Sequence, residues 1–555
     1  MNGKGNGGFA NLNNGTLRIA GYGPWGSNGN VANTWKAFAP RIAAAYQFDS
    51  KTVLRLGYGR SFDLGVFGSN FGHAVTQNLP VLAAQNIQDS NINPAATNNR
   101  SAVFTLTQGP PAYPFSTVLA DIGVGSPAGT LPLRGPDGTA GTYIRPTIQR
   151  LPTVDEWNLS VQRQVTANLN VTLSYIGNKG THVFAGTGPS YNVNQIAVGS
   201  GTNLVVCSVP VTPCPAADVG LGGFTPSIPA NNRRQFFLNG VPSFTYPGST
   251  FTTAGGAVLP TPACCPSDVN SYFGNDASNR YNAFQVKAEQ RLMHGLQFLA
   301  HYTYSQAYAY NDSYFPVNPK FAWGPNPYNR NNVFVWSAIY ELPVGKGKMF
   351  LGNAGRVTDL LLGGWQASNT LTWGSGLPFN PSINECSTVT DAGPCRPNVT
   401  GHISTGKKTI TSGCTSGGPC GVYWFTPVQP LNYNLTAADV GTDSCALPRP
   451  VSGPLALPAC GQIGNMGFNA YYGPRAFYDD FSLLKTFNIT ERFKAQFRFD
   501  VYNLFNHPVL AVPGNQCLDC FGAPSAGQIT DIEADSAPGA PVGMRQLQFG
   551  FRFVF

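Results

Sequence analysis

A chain of 555 residues in which only 11% are Asp, Glu, Lys or Arg departs from ordinary soluble domains, where such residues make up about 25%. Its 12% aromatic and 42% hydrophobic content excludes a disordered chain, and a net charge of +8, spread without a basic block or an acidic tail, argues against nucleic-acid binding. With 64 Gly and 45 Pro the chain is dense in turn-formers, a balance that suits an antiparallel transmembrane β-barrel with lipid outside and polar residues inside.

No apolar run reaches the roughly 18 residues a transmembrane helix needs; the longest knot, Leu360-Leu361-Leu362, is cut at once by Gly363-Gly364. Residues 1–15 contain no apolar core of a signal peptide. The expectation is that the true start lies elsewhere or that the chain is a fragment of a longer gene product.

Residues 1–34 read as a loop with a weak strand over 15–22, and residues 35–555 as barrel. Alternation predicts strands at 35–48, 51–62, 153–165, 168–180, 279–292, 295–308, 332–343, 364–376, 475–487, 491–505 and 544–555. In the fourth of these, Leu169, Val171, Leu173 and Tyr175 alternate with Asn168, Asn170, Thr172 and Ser174. In the eighth, Trp365, Ala367, Leu371 and Trp373 alternate with Gln366, Ser368, Thr370 and Thr372. In the tenth, Phe493, Ala495, Phe497, Phe499 and Val501 oppose Lys494, Gln496, Arg498 and Asp500. The last sets Leu547, Phe549, Phe551, Phe553 and Phe555 against Gln546, Gln548, Gly550 and Arg552.

A soluble β-sandwich also alternates, so connection length is the discriminating feature. Short turns at Asp49-Ser50, Thr166-Ala167, Met293-His294 and Asn488-Ile489-Thr490 alternate with long segments at about 63–152, 181–278, 309–331, 377–474 and 506–543. The link 344–363 is of middle length. Outer-membrane barrels are built this way, with short periplasmic turns and long extracellular loops. If the C-terminus lies in the periplasm, parity puts every short turn there. It also puts every cysteine-bearing loop outside the cell of a Gram-negative-type bacterium. The expected fold is therefore all-β, with about 11–12 barrel strands present.

All twelve cysteines fall between predicted strands, as close neighbours: Cys207/Cys214, Cys264/Cys265, Cys386/Cys395, Cys414/Cys420, Cys445/Cys460 and Cys517/Cys520. An even count with local pairing reads as loop disulfides formed in an oxidising compartment, with the connectivity open. The rival is metal binding at Cys517-Leu518-Asp519-Cys520, which has knuckle spacing but no second ligand pair nearby.

No hydrolase, zincin or phosphate-loop motif occurs, so the chain is not expected to be an enzyme or to hold a cofactor or metal. Asp479-Asp480 lacks further oxygen ligands at calcium-site spacing and reads as a solvated strand end. The histidines at 73, 182, 294, 301, 402 and 507 are scattered; His294 falls in a short turn and His301 on a polar strand face. Candidate lumen-lining residues are Lys494, Gln496, Arg498, Asp500, Gln548 and Arg552. Phe551, Phe553 and Phe555 form a C-terminal aromatic strand that resembles the signal read by the barrel-assembly machinery. Arg233-Arg234 and Lys407-Lys408 are candidate contacts for lipopolysaccharide or an acidic substrate, against ordinary loop solvation.

Several segments together resemble the C-terminal barrel of TonB-dependent receptors, specifically the Oar-like group with carboxypeptidase-regulatory-like domains. They are Ala39-Pro40-Arg41 with Tyr46, Leu54 to Gly59, Glu156 to Arg163, Ser174 to His182, and Gly364-Trp365-Gln366 followed by Ser375 to Phe379. Asp480 to Leu483, Arg498 to His507 and the terminal strand complete the series, over about 39–555. The resemblance implies the C-terminal half of a barrel of about 22 strands, and TonB-driven uptake of a solute through it. No plug or TonB box is recognisable in the sequence. The alternative is a structural or adhesive barrel whose disulfide-pinned loops bind partners. Outer-membrane lipid, lipopolysaccharide and the assembly machinery are the other expected partners.

Overall fold

The computed structural model describes residues 35–63, 104–110, 151–186, 276–310, 318–383, 396–411, 463–490, 492–514, 527–533 and 543–555. Shorter described pieces lie at 16–18, 130–132, 143–144, 191, 250–252, 258–260, 272–273, 314–315, 394, 421–425 and 455–456.

The alternating segments form strands that pair in sequence order. They are β1 Arg41–Asp49, β2 Thr52–Phe62, β3 Thr153–Gln164, β4 Leu169–Val183, β5 Ala277–Met293 and β6 Leu296–Tyr310. Then follow β7 Asn332–Glu341, β8 Trp365–Gly374, β9 Ala476–Asn488, β10 Lys494–Tyr502 and β11 Gln546–Val554. Each is hydrogen-bonded to the next in one sheet, all antiparallel, and Trp323–Pro325 adds a twelfth strand on β6. The nine residues of β1 and the seventeen of β5 mark the range, against the roughly 9–11 residues that span a bilayer as a tilted strand. The two ends of the path, β1 and β11, are not paired to one another.

Local chemistry sets the strand limits. Pro40 lacks an N–H, and β1 begins at Arg41. The β5–β6 turn is His294-Gly295, with φ of 52° and 83°, the left-handed pair a two-residue hairpin demands. This shifts the expected Met293-His294 turn by one residue. Asn503, at φ 52°, ends β10 earlier than expected, and its Nδ2 donates to the carbonyl of Gly543 at 2.7 Å. Thr16–Arg18, within the expected weak strand 15–22, pairs with Thr130–Pro132 and not with the main sheet.

Two motif glycines admit neighbouring side chains. The Trp157 indole lies across Gly177, where an added Cβ would sit 2.5 Å from ring atoms. Gly180 donates its N–H to Asn279 Oδ1 at 2.9 Å. The middle-length link carries one short helix, α1 Arg356–Leu362, which Gly363 terminates. Lys485, on β9 and 1% exposed, donates to the Gly363 carbonyl. Its ammonium lies 5.3 Å from the Trp365 ring and 5.1 Å from Phe487, which fixes α1 against the sheet.

The second packed region lies in the long segments. Phe379, Ile383, Ile403, Phe425, Leu455 and Met466 form a buried cluster, with Trp424, Tyr471 and Val512 against it. Thr405–Ile410, Gly421–Phe425 and Gln528–Ile529 make a small three-stranded sheet there, joining the segments 377–474 and 506–543.

Candidate functional site

Because directly opposed residues of antiparallel strands share a face, the register sorts the sheet into two surfaces. One carries Leu56, Leu159, Tyr175, Phe284 and Tyr304 in a continuous row from β2 to β6. The same surface continues as Leu483, Phe499 and Phe549 on β9 to β11. Most of these apolar side chains are exposed, Leu159 by 46% and Phe549 by 66%, while Leu483 and Phe499 are half-buried.

The opposite surface is polar. Lys287 and His301 are partners there, as are Ser337 and Thr370, Thr370 and Asp480, and Ser482 and Asp500. Lys287 pairs with Glu289 at 2.9 Å, and Arg55 Nη1 donates to Gln162 Oε1 at 2.7 Å. These groups fall on strands whose alternation was clear, yet only a register could bring them together.

The residues proposed from sequence fall on this polar surface. Gln496 opposes Arg552, Asp500 opposes Gln548, and Arg498 opposes Gly550. Arg498 Nε donates to Asp500 Oδ1 at 2.7 Å and to Ser482 Oγ at 3.3 Å. Asp500 is nearly covered while Arg498 stays open. Lys494 stands at the turn end opposite Val554. Phe551 and Phe553 lie on the apolar surface, edge to face at 4.8 Å, and oppose Phe497 and Ala495. Phe555 follows the strand and is exposed.

Asp479 and Asp480 are not a solvated strand end. They sit within β9 and project to opposite surfaces. Asp479 is 4% exposed and accepts from Asn369 Nδ2 at 2.6 Å. Asp480 Oδ1 accepts the Asn503 N–H at 2.9 Å. A carboxylate taken out of water requires such donors.

Above the sheet, three long segments are fastened together. Arg330, before β7, donates to both carboxylate oxygens of Glu533 and to the Ser375 carbonyl. Asn331 Nδ2 donates to the Tyr472 hydroxyl at 3.1 Å, and Asn469 Nδ2 to the Pro325 carbonyl at 2.8 Å. Arg396 is buried, donates to the carbonyls of Met466 and Phe321, and lies 5.3 Å from the Phe468 ring. Burial lowers its pKa to about 10, so it stays charged at neutral pH. In the sequence these segments have the character of plain loops, and nothing in their pattern marks the cluster around Phe379 and Phe425. Lys407 and Lys408 lie on the strand Thr405–Ile410; Arg233 and Arg234 lie outside the described residues. So do Cys207, Cys214, Cys264, Cys265, Cys386, Cys395, Cys414, Cys420, Cys445, Cys460, Cys517 and Cys520.

Among solved structures, the chain is similar to the ferric-catecholate import receptor Fiu from E. coli, at 8% identity and a TM-score of 0.31, covering 92% of this chain and 34% of that one. It is also similar to BauA, the ferric preacinetobactin receptor from Acinetobacter baumannii, at 8% identity and a TM-score of 0.33, covering 93% and 36%. The chain thus spans about a third of the length of these structures. No curated protein matches the sequence. The family model of the outer membrane beta barrel domain matches residues 2–548. With an all-β meander and a largely apolar sheet surface behind that match, this chain belongs to the outer membrane beta barrel domain family and resides in the outer membrane.

Proposed function

We infer that the chain forms wall strands and extracellular loops of a closed barrel of the TonB-dependent receptor type, Oar-like in its motifs, which takes up a solute across the outer membrane. The observation that carries this reading is a sheet with two unlike surfaces whose edge strands, β1 and β11, have no partner on their outer sides among the described residues. Backbone N–H and C=O groups left open in hydrocarbon are strongly unfavourable, so in a bilayer these edges must find strands to pair with. Closure puts the apolar surface toward lipid and makes the polar one a lumen. Lys494, Gln496, Arg498, Asp500, Gln548 and Arg552 then line the passage, and both charge signs are present. The short turns face the periplasm and the long segments face outward. Energy coupling through TonB would come from a plug and TonB box, which a barrel wall does not itself supply. In the same reading the neighbouring cysteines pair as disulfides in the oxidising exterior. Finding twelve free thiols without reductant would overturn that pairing.

A second reading, a surface barrel that binds partners through its loops, draws support from the fastened segments around Arg330 and Glu533. Uptake from a complex medium separates the two. Depletion of medium solutes is followed by mass spectrometry in wild-type cells, in cells lacking this gene and in cells lacking TonB. Transport predicts a solute whose uptake fails in both mutants. Uptake unchanged in both, with surface attachment lost in the gene deletion, would establish the adhesive reading instead.

A further inference from the structure

The link 344–363 joins β7 to β8 at the short-turn end of the sheet, and its helix α1 is built the wrong way round for water. Its polar groups are turned to the sheet. The Leu361 carbonyl accepts from Trp365 Nε1 at 3.4 Å, the Gly363 carbonyl accepts from Lys485, and Arg356 Nη2 donates to the Ile489 carbonyl at 3.1 Å. Its apolar side chains are turned away. None of the seven residues of α1 is buried. Val357 is 72% exposed and Leu361 62%, and Leu360 and Leu362 are exposed with them. A helix this short is not stable in water by itself and ordinarily depends on packing its apolar face. Among the described residues, that face meets no protein.

The turn before α1 repeats the arrangement. Met349 is 82% exposed, and Phe350 and Leu351 are exposed beside it. This display rests on paired backbone. The Phe350 N–H donates to the Pro343 carbonyl at 2.8 Å and the Gly347 N–H to the Gly352 carbonyl at 3.0 Å. The Lys346 N–H donates to Asp359 Oδ1 at 2.6 Å, which ties the turn to the helix.

The side of the sheet on which α1 lies is set by the register. Trp365 opposes Lys485, Lys485 opposes Phe497, and Phe497 opposes Phe551 on the apolar surface. Trp365 and Lys485 both reach α1 from that surface, so the helix sits on the apolar side. Ile489, in the turn that Arg356 reaches, and nearby Phe493 are exposed apolar residues as well. Lys346 and Arg356 are exposed, and among the described residues neither forms an ion pair. Outward apolar side chains flanked by cations and a tryptophan make up a segment that lies in a membrane–water interface.

Place selects the occupant: on the apolar side of the sheet, at its end, the neighbouring medium is the membrane. We propose that the link 344–363 is an interfacial anchor in the periplasmic leaflet. The side chains of α1 and of the turn at 349–351 insert among phospholipid acyl chains, and Lys346 and Arg356 extend to the phosphates. The assignment rests on the reading above that the apolar surface faces lipid and the short turns face the periplasm.

A photoreactive phenylalanine analogue is placed singly at Val357, Leu361, Phe549 and Ser160 of the full gene product in living cells, and the adducts formed on irradiation are identified by mass spectrometry. Val357 and Leu361 should carry phospholipid adducts. Phe549, on the apolar surface, should carry lipid adducts, and Ser160, on the polar one, should carry none. V357D combined with L361D should keep heat-modifiable gel mobility, because neither side chain packs on protein, and should lose the phospholipid adducts otherwise formed at Leu360. Adducts at Phe549 without any at Val357 or Leu361 would overturn the anchor and leave the two-surface reading standing. Failure at Phe549 as well would overturn both. Glycolipid adducts at Leu361 would put the link in the outer leaflet, and protein cross-links there would show a docking site or a second copy; either result overturns the proposal. Adducts at Leu360 that survive the double substitution overturn it too.

Discussion

Valine in place of Gly177 should unseat Trp157 and destabilise the sheet. The two residues oppose each other on β4 and β3. A Cβ at Gly177 would stand 2.5 Å from Trp157 Cε2 and Nε1 and 2.6 Å from Cζ2. Ordinary carbon contacts are about 3.5–4.0 Å, so the indole must withdraw by about 1 Å before the two methyls are placed. On the other side of Gly177 stands Asn282, whose Oδ1 accepts the Tyr175 hydroxyl at 2.7 Å, which leaves little room to slide along the row. Overpacking of this kind costs about 1–3 kcal/mol. The better strand propensity of valine returns a part of up to about 1 kcal/mol, so a net loss of about 1–2 kcal/mol is expected. The assay is the midpoint of urea unfolding in detergent, read by gel mobility without boiling. Pairing G177V with W157A in a double-mutant cycle isolates the contact, because valine should be nearly harmless once the indole is gone. A G177V protein as stable as the parent, or one equally destabilised with and without Trp157, would refute the reasoning.

Lys485→Met should lower stability by about 1–3 kcal/mol, because it strands the Gly363 carbonyl and removes the ammonium from the two rings; unchanged unfolding would show that α1 is held by other means. Arg330→Ala should leave the Glu533 carboxylate without its guanidinium and loosen the three fastened segments. Limited proteolysis should then cut within 506–543 faster, with the sheet intact, whereas an unaltered cleavage rate would show that the ion pair does not hold the segments. Replacing Phe551, Phe553 and Phe555 with serine should reduce the protein recovered in outer-membrane fractions if the terminal aromatics are read during assembly, and full recovery would count against that role.

The sheet was legible in the sequence because a half-exposed strand writes its two surfaces as alternation, and each alternating segment overlaps one strand of the main path. Strand ends were less legible, since they depend on single residues such as Pro40, Asn503 and the His294-Gly295 pair. The cluster around Phe379 was illegible for a different reason. Its strands, such as Pro378–Phe379 and Leu455–Ala456, are two residues long, too short to show a period. The burial of Asp479 also escaped, because a carboxylate at a strand position looks the same whether water or Asn369 receives it. The candidates from Lys494 to Arg552 lie on one strand pair, and the register joins them with Lys287, Glu289 and His301, which alternation alone places only on the polar face of their own strands.

The central claim is that one surface of this sheet meets lipid and the other does not, and β3 tests it residue by residue. A photoreactive phenylalanine analogue is placed singly at Leu159, Ser160, Val161 and Gln162 in protein inserted into membranes, and cross-links to acyl chains are read by mass spectrometry. Leu159 and Val161 should label lipid, and Ser160 and Gln162 should not. Labelling at all four positions, or at Ser160 and Gln162 alone, would contradict the assignment of the two surfaces.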